Sequence, residues 1–462
     1  MATIDTSDRA VDQERLYRKV TRRIIPFLFC AMLAAYLNRV NVGFIEESLS
    51  SELGFSDAAY GLGAGIFFIG YLLFEVPSNL LMHRIGARRT LQRIMILWGI
   101  TSASILFVQA EWQFYLLRFL LGVFEAGFFP AVILYLTYWY PSMRRGKAMA
   151  LLITGVAVSG VVGAPLSGVI LSFFDGRMGL DGWQWMLLIE GIPPVILGLL
   201  VFKVLADSPG QAEWLSPSER AYVVAQVDED RDANPPQHTS FGASLKDWRV
   251  YALCWVYFSV ASGIYLISFW LPRMLRESGS FVPWQLGLVV AIPYLFAAVS
   301  MVVVSAHSDR TGERRRHFAT AAVVGVVSVV AATQATNVWL VVALFTLATA
   351  AMLTMSPLFW TFPTTLLAGT AAAGGIALIN SIGNLSGFVS PLVTGWISDK
   401  TGSFAPTLWL NGVVLLSGTL VLLLITRGNR PQPVNVLAGE DEGEANNIVT
   451  EHIPTHQSKE QI

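Results

Sequence analysis

The stretch His83-Arg84-Ile85-Gly86-Ala87-Arg88-Arg89 has a counterpart in the second half of the chain, Asp309-Arg310-Thr311-Gly312-Glu313-Arg314-Arg315. Each is a short basic loop around a central glycine, with apolar runs on both sides. Those runs are roughly 20 residues long, the length a helix needs to cross about 30 Å of hydrocarbon. Outward from the first loop they cover Ile24–Ile45, Tyr60–Met82, Leu91–Val108, Phe114–Tyr138, Ala148–Phe174 and Trp185–Leu205. Outward from the second they cover Val250–Leu275, Trp284–Ala306, Phe318–Thr333, Val338–Leu367, Gly375–Ile397 and Thr407–Thr426. The expected fold is an all-α membrane protein of twelve spans in two pseudo-symmetric six-helix halves.

Composition agrees. Of 462 residues, 54% are hydrophobic and only 14% charged, whereas a soluble domain carries about 25% charged residues. The glycine and proline pattern also repeats: Gly160, Gly163, Pro165 and Gly168 in span 5 answer Gly383, Gly387, Pro391 and Gly395 in span 11. Paired halves with Gly/Pro-broken helices are a mark of secondary transporters whose site lies between the repeats. The expected division is 1–23 as an N-terminal segment, 24–206 and 249–427 as the bundles, 207–248 as a linker, and 428–462 as a disordered tail. Within the linker, Ser216 to Asp230 has the pattern of a surface helix.

Sidedness follows from the basic residues. Arg84, Arg88 and Arg89, then Arg144, Arg145 and Lys147, then Arg310, Arg314, Arg315 and Arg316 all fall in loops on one side. The opposite side is acidic after span 1, at Glu46, Glu47, Glu52 and Asp57. Short Lys/Arg-rich loops stay in the cytoplasm, so both termini are expected there. No signal-peptide cleavage pattern follows the first apolar run, and Cys30 and Cys254 lie in apolar segments where they act as small hydrophobes.

Other function classes lack their residues. There is no Gly-x-x-x-x-Gly-Lys-Ser/Thr run for a nucleotide, and no His-Glu-x-x-His. The six histidines are scattered. No cofactor, metal or nucleic acid is expected, and no enzyme. The partner that composition implies is the bilayer, and the expected working unit is a monomer.

Ionisable groups inside spans are costly and are functional candidates by default. Arg39 lies in the outer part of span 1; Arg118 and Glu125 share one face of span 4 about 10 Å apart. Two guanidiniums at similar depth suit a carboxylate, whose two oxygens match the planar fork. Tyr36 shares the Arg39 face. The alternatives are snorkelling for Arg39 and a structural ion pair for Arg118. Glu190 in span 6 is expected to be structural. The second half offers neutral groups instead: Trp360 in the proline-broken span 10, and Asn380 and Asn384 four apart in span 11.

The two basic loops are similar to the Gly-x-x-x-Asp-Arg-x-Gly-Arg-Arg pattern of the major facilitator superfamily. Asn79 and His83 depart from it in the first copy, and Ser305 and Glu313 in the second. Tyr36-Leu37-Asn38-Arg39-Val40-Asn41-Val42-Gly43-Phe44, Phe74-Glu75-Val76-Pro77-Ser78-Asn79 and Arg118 through Pro130 resemble its anion:cation symporter branch, nearest to tartrate-like and aromatic-acid permeases. Gly182-Trp183-Gln184-Trp185 and Trp214-Leu215-Ser216-Pro217 carry the same resemblance. It implies import of organic anions with protons, with Asn38 standing where the family usually has an aspartate. With that carboxylate absent, Glu125 is the expected proton-coupling group. Asp309, Arg310, Arg84 and Arg88 are the expected conformational latch, and Asn38 joins the expected substrate contacts. The rival readings are an uncoupled facilitator and an exporter of metabolites.

Overall fold

A computed structural model of the chain describes residues 6–233, 245–367 and 370–427. Among the described residues there are twelve helical spans long and apolar enough to cross a membrane, and no strands. The expected apolar runs fall on them, some ending one residue past the helix, as at Leu205 and Thr426. Several helices continue into the polar loops: span 2 is Asp57–Ile85 and span 6 is Gly182–Val204. Prolines stay inside the helices, as at Pro77 and Pro165, because neighbouring helices can satisfy the carbonyls they free.

Two spans are broken where the sequence suggested continuity. Span 1 consists of the helices Thr6–Val40 and Val42–Leu53, separated at Asn41. Span 4, expected as one run, consists of Glu111–Glu125 and Phe128–Trp139. Gly127 takes the left-handed conformation there, at φ 87°, which only glycine adopts freely. Pro130 follows in the next turn and cannot donate to a continuous helix ladder.

The halves meet by helix pairs that obey the internal repeat. Span 2 packs on span 11 (Thr370–Thr401), and span 5 (Ser142–Phe173) on span 8 (Pro283–Thr311). Glycines set both contacts. A Cβ on Gly61 would lie 2.3 Å from the Pro391 carbonyl oxygen, and one on Gly287 would lie 2.4 Å from that of Ala164. Such small-residue contacts let backbones approach closely in lipid. The capping repeats as well. Asp399 at the end of span 11 accepts from the amides of Asp57 and Ala58 at the start of span 2, at 3.0 and 2.8 Å. Ser172 at the end of span 5 accepts from Trp284 N at 2.9 Å, at the start of span 8.

The linker contains the helix Pro217–Ala233, close to the expected surface segment. It docks on the first half through Lys19 to Glu219 at 2.8 Å and through Ser142 to Asp230. Trp214 stacks on Trp139 at 5.5 Å just before it. The expected disordered tail, 428–462, lies outside the described residues.

Candidate functional site

Both helix breaks carry charge. Arg39 is in the last turn of the first part of span 1, and Glu125 ends the first part of span 4. They form an ion pair: Arg39 Nη2 donates to Glu125 Oε1 at 2.5 Å and Nε to the same oxygen at 3.1 Å. Glu125 is only 1% exposed, so this carboxylate is removed from water and held by one guanidinium. Tyr36, Phe67 and Tyr71 surround that guanidinium, with ring centroids 4.8, 5.5 and 5.9 Å away. A cation over aromatic faces is stabilised by their quadrupoles.

Arg118 is held by backbone carbonyls. Its Nε and Nη2 donate to the carbonyl oxygens of Gly63 and Ala64 in span 2, at 3.2 and 3.0 Å. Its guanidinium also lies 5.1 Å from the Phe67 ring. The two arginines therefore share one aromatic side chain, while Glu125 takes Arg39 as its ion-pair partner.

The second half faces this cluster with neutral groups. Tyr265 lies within electrostatic reach of Arg39 and Glu125, and Tyr257 of Tyr36. The Tyr265 hydroxyl donates to Asn384 Oδ1 at 3.3 Å. Trp360 stands edge-on to Tyr257 at 4.8 Å, and Asn380 is half-buried one helical turn from Asn384. Phe68 of span 2 packs against Tyr265 at 4.6 Å, joining the halves beside the arginine pair.

Asn38 does not join Arg39. It is 3% exposed and accepts from Asn41 at 3.4 Å; Asn41 in turn donates to Glu190 Oε2 at 2.8 Å. Ser167 donates to Glu190 Oε1 at 2.8 Å. These four residues form a second buried polar cluster among spans 1, 5 and 6.

The basic loops hold their own halves. Arg88 donates to the Phe202 carbonyl at the end of span 6 and pairs with Asp207 at 3.3 Å. Arg315 donates to the Leu423 carbonyl near the end of span 12 at 2.8 Å. Asp309 pairs with Arg314 at 3.5 Å, and Arg84 and Arg310 are exposed. The charge contacts that cross between halves lie at the opposite end. Arg273 of span 7 pairs with Glu46 at 2.6 Å and with Asp57, and Arg276 reaches Glu46 at 3.1 Å and Glu47 at 2.6 Å. Ser398 donates to Asp57 at 2.6 Å.

A family model described as Major Facilitator Superfamily matches residues 27–391 and 285–457. The chain belongs to that superfamily. It is a membrane transporter, not an enzyme. It is similar to a candidate tartrate transporter of Agrobacterium vitis, 45% identical over 415 residues that cover 90% of this chain and 95% of that protein. It is also similar to a quinolone resistance transporter of Acinetobacter baumannii, 36% identical over 92% of this chain and 98% of the other. In fold it resembles a bacterial homologue of the human lysosomal transporter Spinster in an inward-facing and occupied conformation. The TM-score is 0.71 at 16% identity, over 87% of this chain and 96% of that one.

For such a transporter, sequence reasoning missed two features. The Glu46–Arg273–Asp57 cluster joins residues more than two hundred positions apart, and its acids read only as a sign of sidedness. The pairing of Arg39 with Glu125 was hidden because spacing relates residues on one helix, not on two. The signal for the first was Arg273 and Arg276 at the end of span 7, opposite an acidic loop.

Proposed function

We propose that this transporter imports a small organic anion, a hydroxy, sugar or aromatic carboxylate, together with a proton. Arg39 and Arg118 hold the carboxylate. Tyr36, Trp360, Asn380 and Asn384 contact the body of the substrate, and Asn38 acts on the Arg39 turn from behind through Asn41. Glu125 carries the proton. The observation that carries this reading is the single ion pair between Arg39 and the buried Glu125.

A carboxylate arriving at Arg39 competes with Glu125 for the same donors. A buried carboxylate that loses its only strong partner takes up a proton rather than stay charged. Anion binding and proton binding therefore favour one another, which is symport by linkage. Release at the other face runs the exchange backward: the anion leaves, Glu125 gives up its proton and returns to Arg39. The cationic and aromatic cluster suits an anion, and the similarity to a candidate tartrate transporter points the same way.

In this reading the chain lies in a bacterial inner membrane with both termini cytoplasmic. The closed Arg273–Glu46–Asp57 end then faces outward, and Asp309, Arg310, Arg84 and Arg88 latch the other end when the transporter opens outward. The protomer works as a monomer. A second reading, export, is favoured by the similarity to the quinolone resistance transporter. Uptake against efflux in proteoliposomes tests the direction. A thermal-shift screen over carboxylic acids and quinolones tests the class of solute, because a ligand stabilises only the state it binds. Stabilisation by a carboxylic acid, with uptake of that acid, supports import of an anion. Stabilisation by quinolones alone contradicts it.

A further inference from the structure

Glu190 is a buried carboxyl with an unusual set of partners. It is 3% exposed, and its two oxygens accept from Asn41 Nδ2 and Ser167 Oγ, both neutral, each at 2.8 Å. No Lys, Arg or His forms an ion pair with it among the described residues. A carboxylate buried without a cation is costly unless it can neutralise itself. The neighbourhood also contains what a neutral acid would need. Asn41 Oδ1 and Asn38 Nδ2 are both buried and both lack a hydrogen-bond partner.

We propose that Glu190 is a proton-binding site whose two protonation states are matched by two arrangements of the Asn41 and Asn38 amides. In the ionised state, Asn41 Nδ2 donates to Glu190 and to Asn38 Oδ1, as observed. In the protonated state both amides turn over. The Glu190 hydroxyl donates to Asn41 Oδ1, and Asn38 Nδ2 donates to that same oxygen. Amide oxygen and nitrogen occupy nearly the same space, so the exchange requires no backbone movement. The two unpartnered atoms then take up the bonds, and Asn41 Nδ2 and Asn38 Oδ1 move to the places they leave. The two arrangements make the same number of bonds and differ in which one accepts the acid proton.

The surroundings of Glu190 leave its charge to these neighbours. The first part of span 1 brings Arg39, which is committed to Glu125. The second part brings Glu46 and Glu47, held by Arg273 and Arg276, and Glu52, which accepts from Trp183 Nε1 at 2.8 Å. Span 3 faces span 6 with Gly99 and Ala103 beside Gly191. Its own charges, Arg88, Arg89 and Arg93, lie in its first turns at the opposite end. Span 5 contributes Ser167, with Arg144, Arg145 and Lys147 in its first two turns. Asp175 and Asp181 stand at the near end of span 6, where Asp175 accepts from Gly182 N at 2.9 Å.

The position gives such a proton consequences. Asn41 is the break in span 1, two residues from Arg39, and Ser167 adjoins Gly168, whose Cβ would lie 2.4 Å from the Pro283 carbonyl in the other half. The proton is therefore sensed both at the turn that carries Arg39 and at the packing of span 5 on span 8. This site stands apart from the assignment of Glu125.

Infrared difference spectroscopy of the full-length protein in lipid vesicles, stepped through pH, reads protonated carboxylic acids directly by their carbonyl stretch. The expected result is a pH-dependent acid band that Glu190→Gln abolishes, that Glu190→Asp moves in frequency, and that Glu125→Gln leaves in place. The aspartate variant retains an acid, so it decides the matter if the glutamine variant does not fold. A band unaltered by both Glu190 substitutions overturns the proposal. A band lost in Glu125→Gln alone also overturns it, while leaving the role of Glu125 intact.

Discussion

Arg39 and Glu125, the last charged residues before two helix breaks in different spans, hold one another at 2.5 Å. Each is thereby fixed by the other and by little else that is charged. The pair can open only if something replaces one partner.

Removing one partner alone leaves a buried charge without compensation. Arg39→Ala is therefore expected to destabilise the folded protein by about 3–5 kcal/mol, and Arg39→Ala with Glu125→Gln to recover most of that stability. Thermal unfolding in detergent checks this. Substrate affinity should stay low in the double variant although stability returns, because the carboxylate site is still missing its guanidinium.

Arg118 is expected to fail as lysine. Its Nε and Nη2 hold two successive carbonyls of span 2 as a fork, and an ammonium group cannot reproduce that geometry. Arg118→Ala should cost roughly 2–5 kcal/mol of carboxylate binding, as for truncation of one partner in a buried charge pair. Arg118→Lys should recover only a small part. Calorimetric titration with the carboxylate identified by thermal shift measures both.

The closed end should be opened by a methyl group. A Cβ at Gly61 would collide with the Pro391 carbonyl, and one at Gly395 would lie 2.1 Å from that of Asp57. Gly61→Ala and Arg273→Gln are each expected to favour the state open at this end, by about tenfold for every 1.4 kcal/mol by which the closed state is weakened. Spin-label distances between the start of span 2 and the end of span 11 should lengthen. Asp309→Asn, with its partner Arg314 in its own loop, should leave this distance unchanged and slow transport instead.

Much of the fold was legible because a bilayer imposes a simple rule: uninterrupted apolar runs of one length, with charges between them. The repeat was legible because the Gly/Pro patterns of spans 5 and 11 match in kind. The break in span 4 was not, since Phe114 to Tyr138 is largely apolar and only Gly127 carries the left-handed turn. The site was half legible. Arg39, Arg118, Glu125 and Tyr36 stood out as costly or amphipathic residues inside spans, but which guanidinium meets which carboxylate depends on how helices pack. For the same reason Glu190 looked structural. Its partners come from spans 1 and 5, and its place beside Asn41 is a fact of packing.

Exchange and accumulation by Glu125→Gln, measured side by side in proteoliposomes, test the coupling most directly. The variant retains the shape of the side chain but cannot release a proton. Substrate exchange across the membrane should survive, while uptake driven by a proton gradient should disappear. Gradient-driven accumulation equal to that of the unmodified protein would contradict the account, because the proton would then travel without Glu125.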